Sequence, residues 1–138
     1  MEIAVPDGFV RHSRSSPLTK PWEPLFSRSL DDRLQIGLRL REPHTNSRGL
    51  MHGGLIAALA DNAMGLSCIV VLRREIPGDE SRPITLSLGV DFLGKAELGQ
   101  WIVFDTDFVK IGRTICFAQC FVTADGVPVA RANASFRV

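Results

Sequence analysis

One stretch of the chain, residues 46–65, combines a histidine, a glycine pair and a single carboxylate. Gly53 and Gly54 open a predicted helix, and two glycines there allow another group to approach the backbone closely. The first turn of a helix has unpaired N–H groups and a partial positive charge, which could hold a developing oxyanion. The glycines could instead only let the helix start against a sheet. The residue pattern alone leaves both interpretations open.

Asp61 is the second candidate, because it is the one carboxylate in the apolar segment 53–72. A lone carboxylate in an apolar helix is costly unless it is paired or used in chemistry. Asp61 could therefore take part in catalysis, or it could be a buried side chain that caps a neighbouring loop.

The spacing of His52 and Asp61 argues against a simple dyad within one chain. Nine residues correspond to about 900° of helical rotation and about 13 Å of rise, which places the two side chains on opposite faces. Two helices related by a two-fold axis could bring both to one substrate. The same spacing argues against a metal site, because two metal ligands on one helix usually lie at positions i and i+4. We expect no metal and no cofactor.

Three cysteines give a clue to the compartment. Cys68, Cys116 and Cys120 lie in apolar runs and resemble small core residues. Cys116 and Cys120 would be about 13 Å apart along one strand, too far for a disulfide. An odd number of cysteines without a disulfide framework indicates a reducing compartment, and we expect a cytoplasmic location.

The helix that carries Asp61 must be long. Residues 53–72 are nearly all apolar or small, Arg73 and Arg74 suit a helix C-terminus, and a Pro-Gly pair at 77–78 ends the element. Such a helix could cross a membrane, but a central aspartate there would cost about 2.5–3.5 kcal/mol, with no second span to shelter it. We expect a helix enclosed by a sheet and no membrane association.

Most of the remaining chain predicts strands. Alternating apolar residues or short turn signals define five segments: 33–40, 84–92, 101–110, 114–123 and 127–138. Short connections between the last four predict an antiparallel meander. The expected class is α+β, with one long helix packed on one antiparallel sheet.

Length and composition predict one globular domain. The chain has 138 residues, of which 45% are hydrophobic and 22% charged. Residues 1–20 contain Pro, Gly, Ser and Arg without a long apolar run, so we expect a loose tail and no signal peptide, followed by a single domain at 21–138. A net charge of +1 gives no electrostatic footprint for nucleic acid or an anionic membrane.

Taken together, Asn46, the His52-Gly53-Gly54 turn and Asp61 resemble the hotdog-fold acyl-CoA thioesterases of the phenylacetate-pathway type. The resemblance covers about residues 33–138 and includes three weaker pieces downstream: VDFL at 90–93, LG at 98–99 and IGRT at 111–114.

This resemblance implies a hotdog fold, in which an antiparallel sheet of five to six strands wraps one long central helix. It implies a homodimer or a dimer of dimers (a homotetramer), with active sites between subunits. Asp61 would be the general base or nucleophile, and the Gly53 N–H would polarise the thioester carbonyl. Asn46 and His52 would position substrate or water, and Thr85 would supply a hydroxyl.

The implied substrate is an acyl-CoA thioester with a small-to-medium acyl or aryl-acyl group. Gly54 would contact it through close backbone approach, Met64 could line an acyl tunnel, and Arg113 could meet the phosphates of CoA. Met64 could instead be an ordinary core residue and Arg113 a solvated hairpin charge. A hotdog protein that binds acyl-CoA or another apolar ligand without turnover is the alternative. The motif resembles those of hotdog dehydratases and hydratases less.

Overall fold

The computed structural model describes residues 2–138 as one helix packed on one sheet, and Met1 lies outside the described residues. The helix, α1, is Gly53–Glu75. The strands are β1 Val10–Arg11, β2 Phe26–Ser29, β3 Leu34–Arg39, β4 Ile84–Phe92, β5 Trp101–Ile111, β6 Ile115–Ala124 and β7 Val127–Arg137. Short 3₁₀ turns occupy Lys20–Trp22 and Glu42–His44.

The strands form a single antiparallel sheet in the order β1-β2-β3-β5-β6-β7-β4. The expected α+β class, with one long helix on an antiparallel sheet, is confirmed. The sheet has seven strands rather than five to six.

Helix α1 is apolar around most of its circumference because it contacts five strands, β3 to β7. Several of its side chains have no exposed surface, among them Leu59, Ala63, Met64 and Cys68. By length and composition the helix could also cross a membrane, since its most apolar window has a mean hydropathy of 2.0. Burial against the sheet accounts for that composition.

The predicted meander of the last four strands is wrong in one respect. Strands β5, β6 and β7 follow one another as a meander, but β4 pairs with β7 and lies at the sheet edge. The connection from β4 to β5 therefore crosses the end of the sheet, where the Leu93 N–H donates to the Val129 carbonyl at 2.9 Å. Turn signals locate the ends of strands and do not identify their neighbours.

The edge strand β4 exposes apolar side chains. Ile84 is 66% exposed, Leu86 53% and Phe92 57%. An open apolar edge is a template on which another chain can pair.

The N-terminal segment differs from the predicted loose tail. Phe9 is buried and packs edge-on against Trp101, with ring centroids 5.2 Å apart. Residues Val10 and Arg11 then pair with β2 as the outermost strand of the sheet. The Phe9–Trp101 contact and the pairing with β2 attach this mostly polar segment to the domain.

Candidate active site

Helix α1 and strand β4 bring Asp61 and Thr85 together. The Thr85 hydroxyl donates to Asp61 Oδ1 at 2.6 Å. A β-bulge between Thr85 and Ser87 shifts the register of β4 at this point, a device that re-aims side chains. No second hydrogen bond to the Asp61 carboxylate occurs within residues 2–138, so Oδ2 is left to accept a proton from a bound molecule.

The Asp61–Thr85 pair borders a cavity of about 600 Å³. This volume lies within the usual range for small-molecule sites, roughly 300–1,000 Å³. Leu25, which directly precedes β2, forms part of the wall together with apolar side chains of α1 and the sheet, namely Ile36, Leu59, Leu66, Ile69 and Phe136. The cavity therefore combines a partly apolar lining with one hydrogen-bonded carboxylate.

Sequence reasoning missed the part of this cavity that the N-terminal segment supplies. His12, Arg14, Ser15, Ser16 and Thr19 all line it. The Ser15 and Thr19 hydroxyls donate to the Glu23 carboxylate at 2.7 and 3.1 Å and tie the segment to the domain. The signal that could have found it is the apolar pair at positions 9 and 10 within a polar stretch.

The first turn of α1 forms a separate cluster of polar groups. His52 is the N-cap residue, and its Nδ1 accepts the Gly54 N–H at 2.8 Å. The Gly53 N–H has no hydrogen-bond partner among the described residues, so it is available to a ligand. A Cβ atom at position 53 would lie 3.1 Å from the Phe92 ring, which explains why glycine suits this position.

Asn46 organises the loop that leads into this turn. Its Oδ1 accepts the N–H groups of Arg48 and Leu50 at 2.8 and 3.2 Å. No partner of its side-chain NH₂ group occurs within residues 2–138, so that group can donate outward from a fixed loop.

Within one chain the two clusters remain apart. Asp61 follows His52 by nine residues, about 13 Å along the helix. None of Asn46, His52 and Gly53 lines the cavity that contains Asp61. The structure therefore joins Asp61 to Thr85 and leaves the predicted oxyanion group elsewhere.

The predicted substrate-binding residues are also scattered. Met64 is fully buried in the core and does not line the cavity. Arg113 is exposed in the turn between β5 and β6, outside the cavity lining. Gly54 is exposed, but its N–H is already bonded to His52.

Comparison with known proteins agrees with this arrangement of one long helix on one antiparallel sheet. Residues 48–130 match the thioesterase superfamily. The chain belongs to that superfamily.

Named relatives of this thioesterase include bacterial and human proteins. A Pseudomonas aeruginosa protein named "Putative esterase PA0474" is 36% identical over 97% of both chains. Human acyl-coenzyme A thioesterase 13 is 33% identical over 88 residues, which are 62% of this chain and 57% of the human protein. The prediction that the protein is a thioester hydrolase is confirmed at that level.

Solved structures show the same fold. A hypothetical thioesterase of Streptococcus pneumoniae, crystallised with coenzyme A, superposes with a TM-score of 0.73 over 85% of this chain and 90% of the other, at 22% identity. Mouse thioesterase superfamily member 2 gives a TM-score of 0.74 over 87% of this chain and 86% of its own, also at 22% identity.

A thioesterase could use a cysteine nucleophile or a metal-bound water, and neither fits the described residues. The three cysteines are buried, and burial raises the pKa of both Cys68 and Cys120 to about 12, so little thiolate exists at neutral pH. No group of three or more His, Cys, Asp or Glu side chains within residues 2–138 could hold a metal ion.

Proposed function

We propose that this protein hydrolyses acyl-CoA thioesters that carry a small-to-medium acyl or aryl-acyl group. The observation that carries the proposal is the Asp61 carboxylate, which accepts the Thr85 hydroxyl at 2.6 Å beside a cavity of about 600 Å³. The human relative named as an acyl-coenzyme A thioesterase and the streptococcal structure with coenzyme A support the choice of substrate.

Asp61 performs the chemistry in one of two ways. As general base, Oδ2 takes a proton from water while the water oxygen attacks the thioester carbonyl carbon. As nucleophile, the carboxylate attacks that carbon itself, and water then hydrolyses the resulting anhydride. In both cases the C–S bond breaks, the products are a carboxylic acid and free CoA, and the thiol of CoA carries a proton that water supplied. Thr85 holds Oδ1 and so fixes the direction of Oδ2.

The oxyanion that forms on the carbonyl needs a donor, and the Gly53 N–H at the helix N-terminus provides one. Asn46, through its unpaired NH₂ group, and His52 position the substrate or the water. Because His52 lies about 13 Å along the helix from Asp61, and neither it nor Asn46 or Gly53 lines the Asp61 cavity, a second copy of the chain supplies these groups. Pairing of two β4 edges into one continuous sheet would form that homodimer, and a dimer of dimers is a further level of assembly.

Three finer assignments belong to the same proposal. The protein is of the phenylacetate-pathway type of thioesterase, an assignment supported only by the resemblance of the Asn46, His52, Gly53 and Asp61 pattern to that type. Arg113 meets a phosphate of CoA from the exposed β5–β6 turn. The three free cysteines support a reducing, cytoplasmic location.

The test is a hydrolysis screen of straight-chain acyl-CoA thioesters from acetyl to lauroyl, together with aryl and aryl-acetyl thioesters, with detection of the released thiol. We expect turnover of at least part of this panel. The Asp61→Asn variant should lower kcat by at least about a hundredfold, whereas KM should change less.

The matched control is Asp107→Asn, because Asp107 is an exposed carboxylate on β5 that does not line the cavity. Near-wild-type turnover in Asp61→Asn would contradict the catalytic assignment. Tight binding of acyl-CoA without turnover by the wild-type protein would favour the non-catalytic alternative.

A further inference from the structure

Three arginines line the cavity that contains Asp61. Arg14 comes from the N-terminal segment, Arg73 from the last turn of α1, and Arg82 from the segment that precedes β4. None of the three forms a salt bridge within residues 2–138. Asp61 is the only carboxylate among the lining residues, so positive charge exceeds negative charge in this cavity.

Nearby carboxylates do not neutralise these arginines. Glu23 accepts hydrogen bonds from Ser15 and Thr19 at 2.7 and 3.1 Å, and Asp79 accepts the Ser81 N–H at 2.8 Å. Neither carboxylate lines the cavity. The cavity therefore presents unpaired guanidinium groups to whatever it binds.

Two of the three arginines are well separated along the chain from the Asp61–Thr85 pair. Arg73 follows Asp61 by twelve residues, about 18 Å along the helix. Arg82 precedes Thr85 by three residues, about 10 Å along an extended chain. Apolar side chains of α1, Leu66 and Ile69, line the wall between Asp61 and Arg73.

His12 adds a hydrogen-bonding group to this region. Its pKa is lowered by burial and by the charge of Arg14, although Glu23 acts in the opposite direction. This shift favours the neutral imidazole, which contributes hydrogen-bonding capacity rather than charge.

We propose that Arg14, Arg73 and Arg82 bind an anionic group of the thioester substrate, remote from the bond that is cleaved. The proposal rests on the proposed thioesterase function and names a feature of its substrate. Guanidinium groups bind phosphate and carboxylate oxygens by charge-assisted, often bidentate hydrogen bonds. Such an anion is either a phosphate of CoA or a carboxylate at the far end of the acyl chain.

Arg73 and Arg74 provide a matched pair of variants. Both are exposed, and both lie in the last turn of α1, where a cation interacts favourably with the helix dipole. Only Arg73 lines the Asp61 cavity, whereas Arg74 lies beside the separate segment 29–33. Loss of the helix-dipole interaction should affect both variants, and loss of a substrate contact should affect only Arg73→Gln.

The experiment compares four thioesters: an acyl chain with or without a terminal carboxylate, carried on CoA or on phosphate-free N-acetylcysteamine. The proteins are the wild type, Arg73→Gln, Arg74→Gln and the triple variant Arg14→Gln, Arg82→Gln, Arg73→Gln, each checked for folding by circular dichroism. The triple variant should raise KM at least about tenfold for the substrates that carry the recognised anion, with a much smaller change in kcat.

The pattern across substrates identifies the anion. If the triple variant has a raised KM for both CoA thioesters and for neither phosphate-free thioester, the recognised anion is a CoA phosphate. If KM is raised for both thioesters with a terminal carboxylate, on CoA and on N-acetylcysteamine alike, the recognised anion is the acyl carboxylate. Equal effects on all four thioesters, or equal effects of Arg73→Gln and Arg74→Gln, would overturn the proposal.

Failure of the proposed function gives a different result. In that case the wild-type protein cleaves none of the four thioesters, including the uncharged N-acetylcysteamine substrate. The anion subsite is then judged by equilibrium binding, because CoA should bind the wild type more tightly than pantetheine and should lose that advantage in the triple variant. The subsite is overturned as well if the wild type binds CoA and pantetheine equally and also binds the N-acetylcysteamine thioesters with and without a terminal carboxylate equally.

Discussion

The first turn of α1 and its third turn are organised in opposite ways. The first turn offers donors: the Gly53 N–H is unpaired, and the loop around Asn46 that leads into it is held by short-range hydrogen bonds. The third turn offers an acceptor, Asp61, held by Thr85 from a strand 24 residues further along the chain. Thioester hydrolysis needs both a base and an oxyanion donor. Each chain therefore carries a donor half and an acceptor half that do not meet.

The position of β4 suggests how the halves meet. This strand holds Thr85 and Phe92, contacts α1 and forms an open, apolar sheet edge. The Phe92 ring lies over Gly53 at one end of β4, and Thr85 bonds Asp61 near the other end. A two-fold axis through paired β4 edges would place the Phe92 end of β4 in one copy beside the Thr85 end of β4 in the other. This antiparallel arrangement is the geometry that the proposed homodimer requires.

The largest expected effect comes from separating the two halves genetically. Asp61→Ala removes the acceptor half, and the double variant Asn46→Ala, His52→Ala disables the donor half. Each homodimer should be nearly inactive. In a mixed dimer one active site has both defects and the other has neither. Random re-association makes about half of the dimers mixed, each with one intact active site of two, so about a quarter of wild-type activity should return.

This experiment needs proof that subunits exchange, which differently tagged copies and co-purification supply. Mixing two preparations of the same variant is the control and should restore nothing. If exchange is demonstrated and activity still does not return, the active site lies within one chain and the donor–acceptor division is wrong.

A smaller effect is expected when the acceptor half is weakened but retained. Thr85→Val keeps the shape of the side chain and removes the hydroxyl that donates to Asp61 Oδ1. A hydrogen bond to a charged group contributes about 1.5–3 kcal/mol, so kcat should decrease by roughly tenfold to a hundredfold. Thr85→Ser retains the hydroxyl and should keep most of the activity. Equal kinetics of the valine and serine variants would show that the hydroxyl has no role.

The sequence drew attention to Asp61 and to the His52-Gly53-Gly54 turn because both belong to one short segment with an unusual pattern. Asp61 stands out as the single carboxylate of an apolar helix, and the glycine pair follows the N-cap histidine directly. The contact between Asp61 and Thr85 was harder to predict from the residue pattern, because it depends on which strand lies beside α1. The resemblance to known thioesterases suggested Thr85, and the structure places it at hydrogen-bond distance.

The N-terminal wall of the cavity could not be predicted from local pattern. Its order depends on Phe9 reaching Trp101, 92 residues further along the chain, and on the pairing of two residues with β2. The edge position of β4 was also missed, because it depends on a crossing connection rather than on a turn. Both features arise from long-range contacts, and both shape the cavity in which Asp61 lies.

The smallest expected effect separates two roles of His52 in the donor half. His52 caps α1, since its Nδ1 accepts the Gly54 N–H, and we also propose that it positions substrate or water. His52→Ala should lose about 1 kcal/mol of unfolding free energy, the usual contribution of an N-cap side chain. His52→Asn should recover that stability, because asparagine is among the best N-cap residues, yet kcat/KM should remain several-fold below the wild type. Denaturant unfolding and steady-state kinetics on the three proteins measure the two roles independently. If asparagine restores kcat/KM together with stability, His52 serves only to hold the first turn, and Gly53 and Asn46 are the remaining donors.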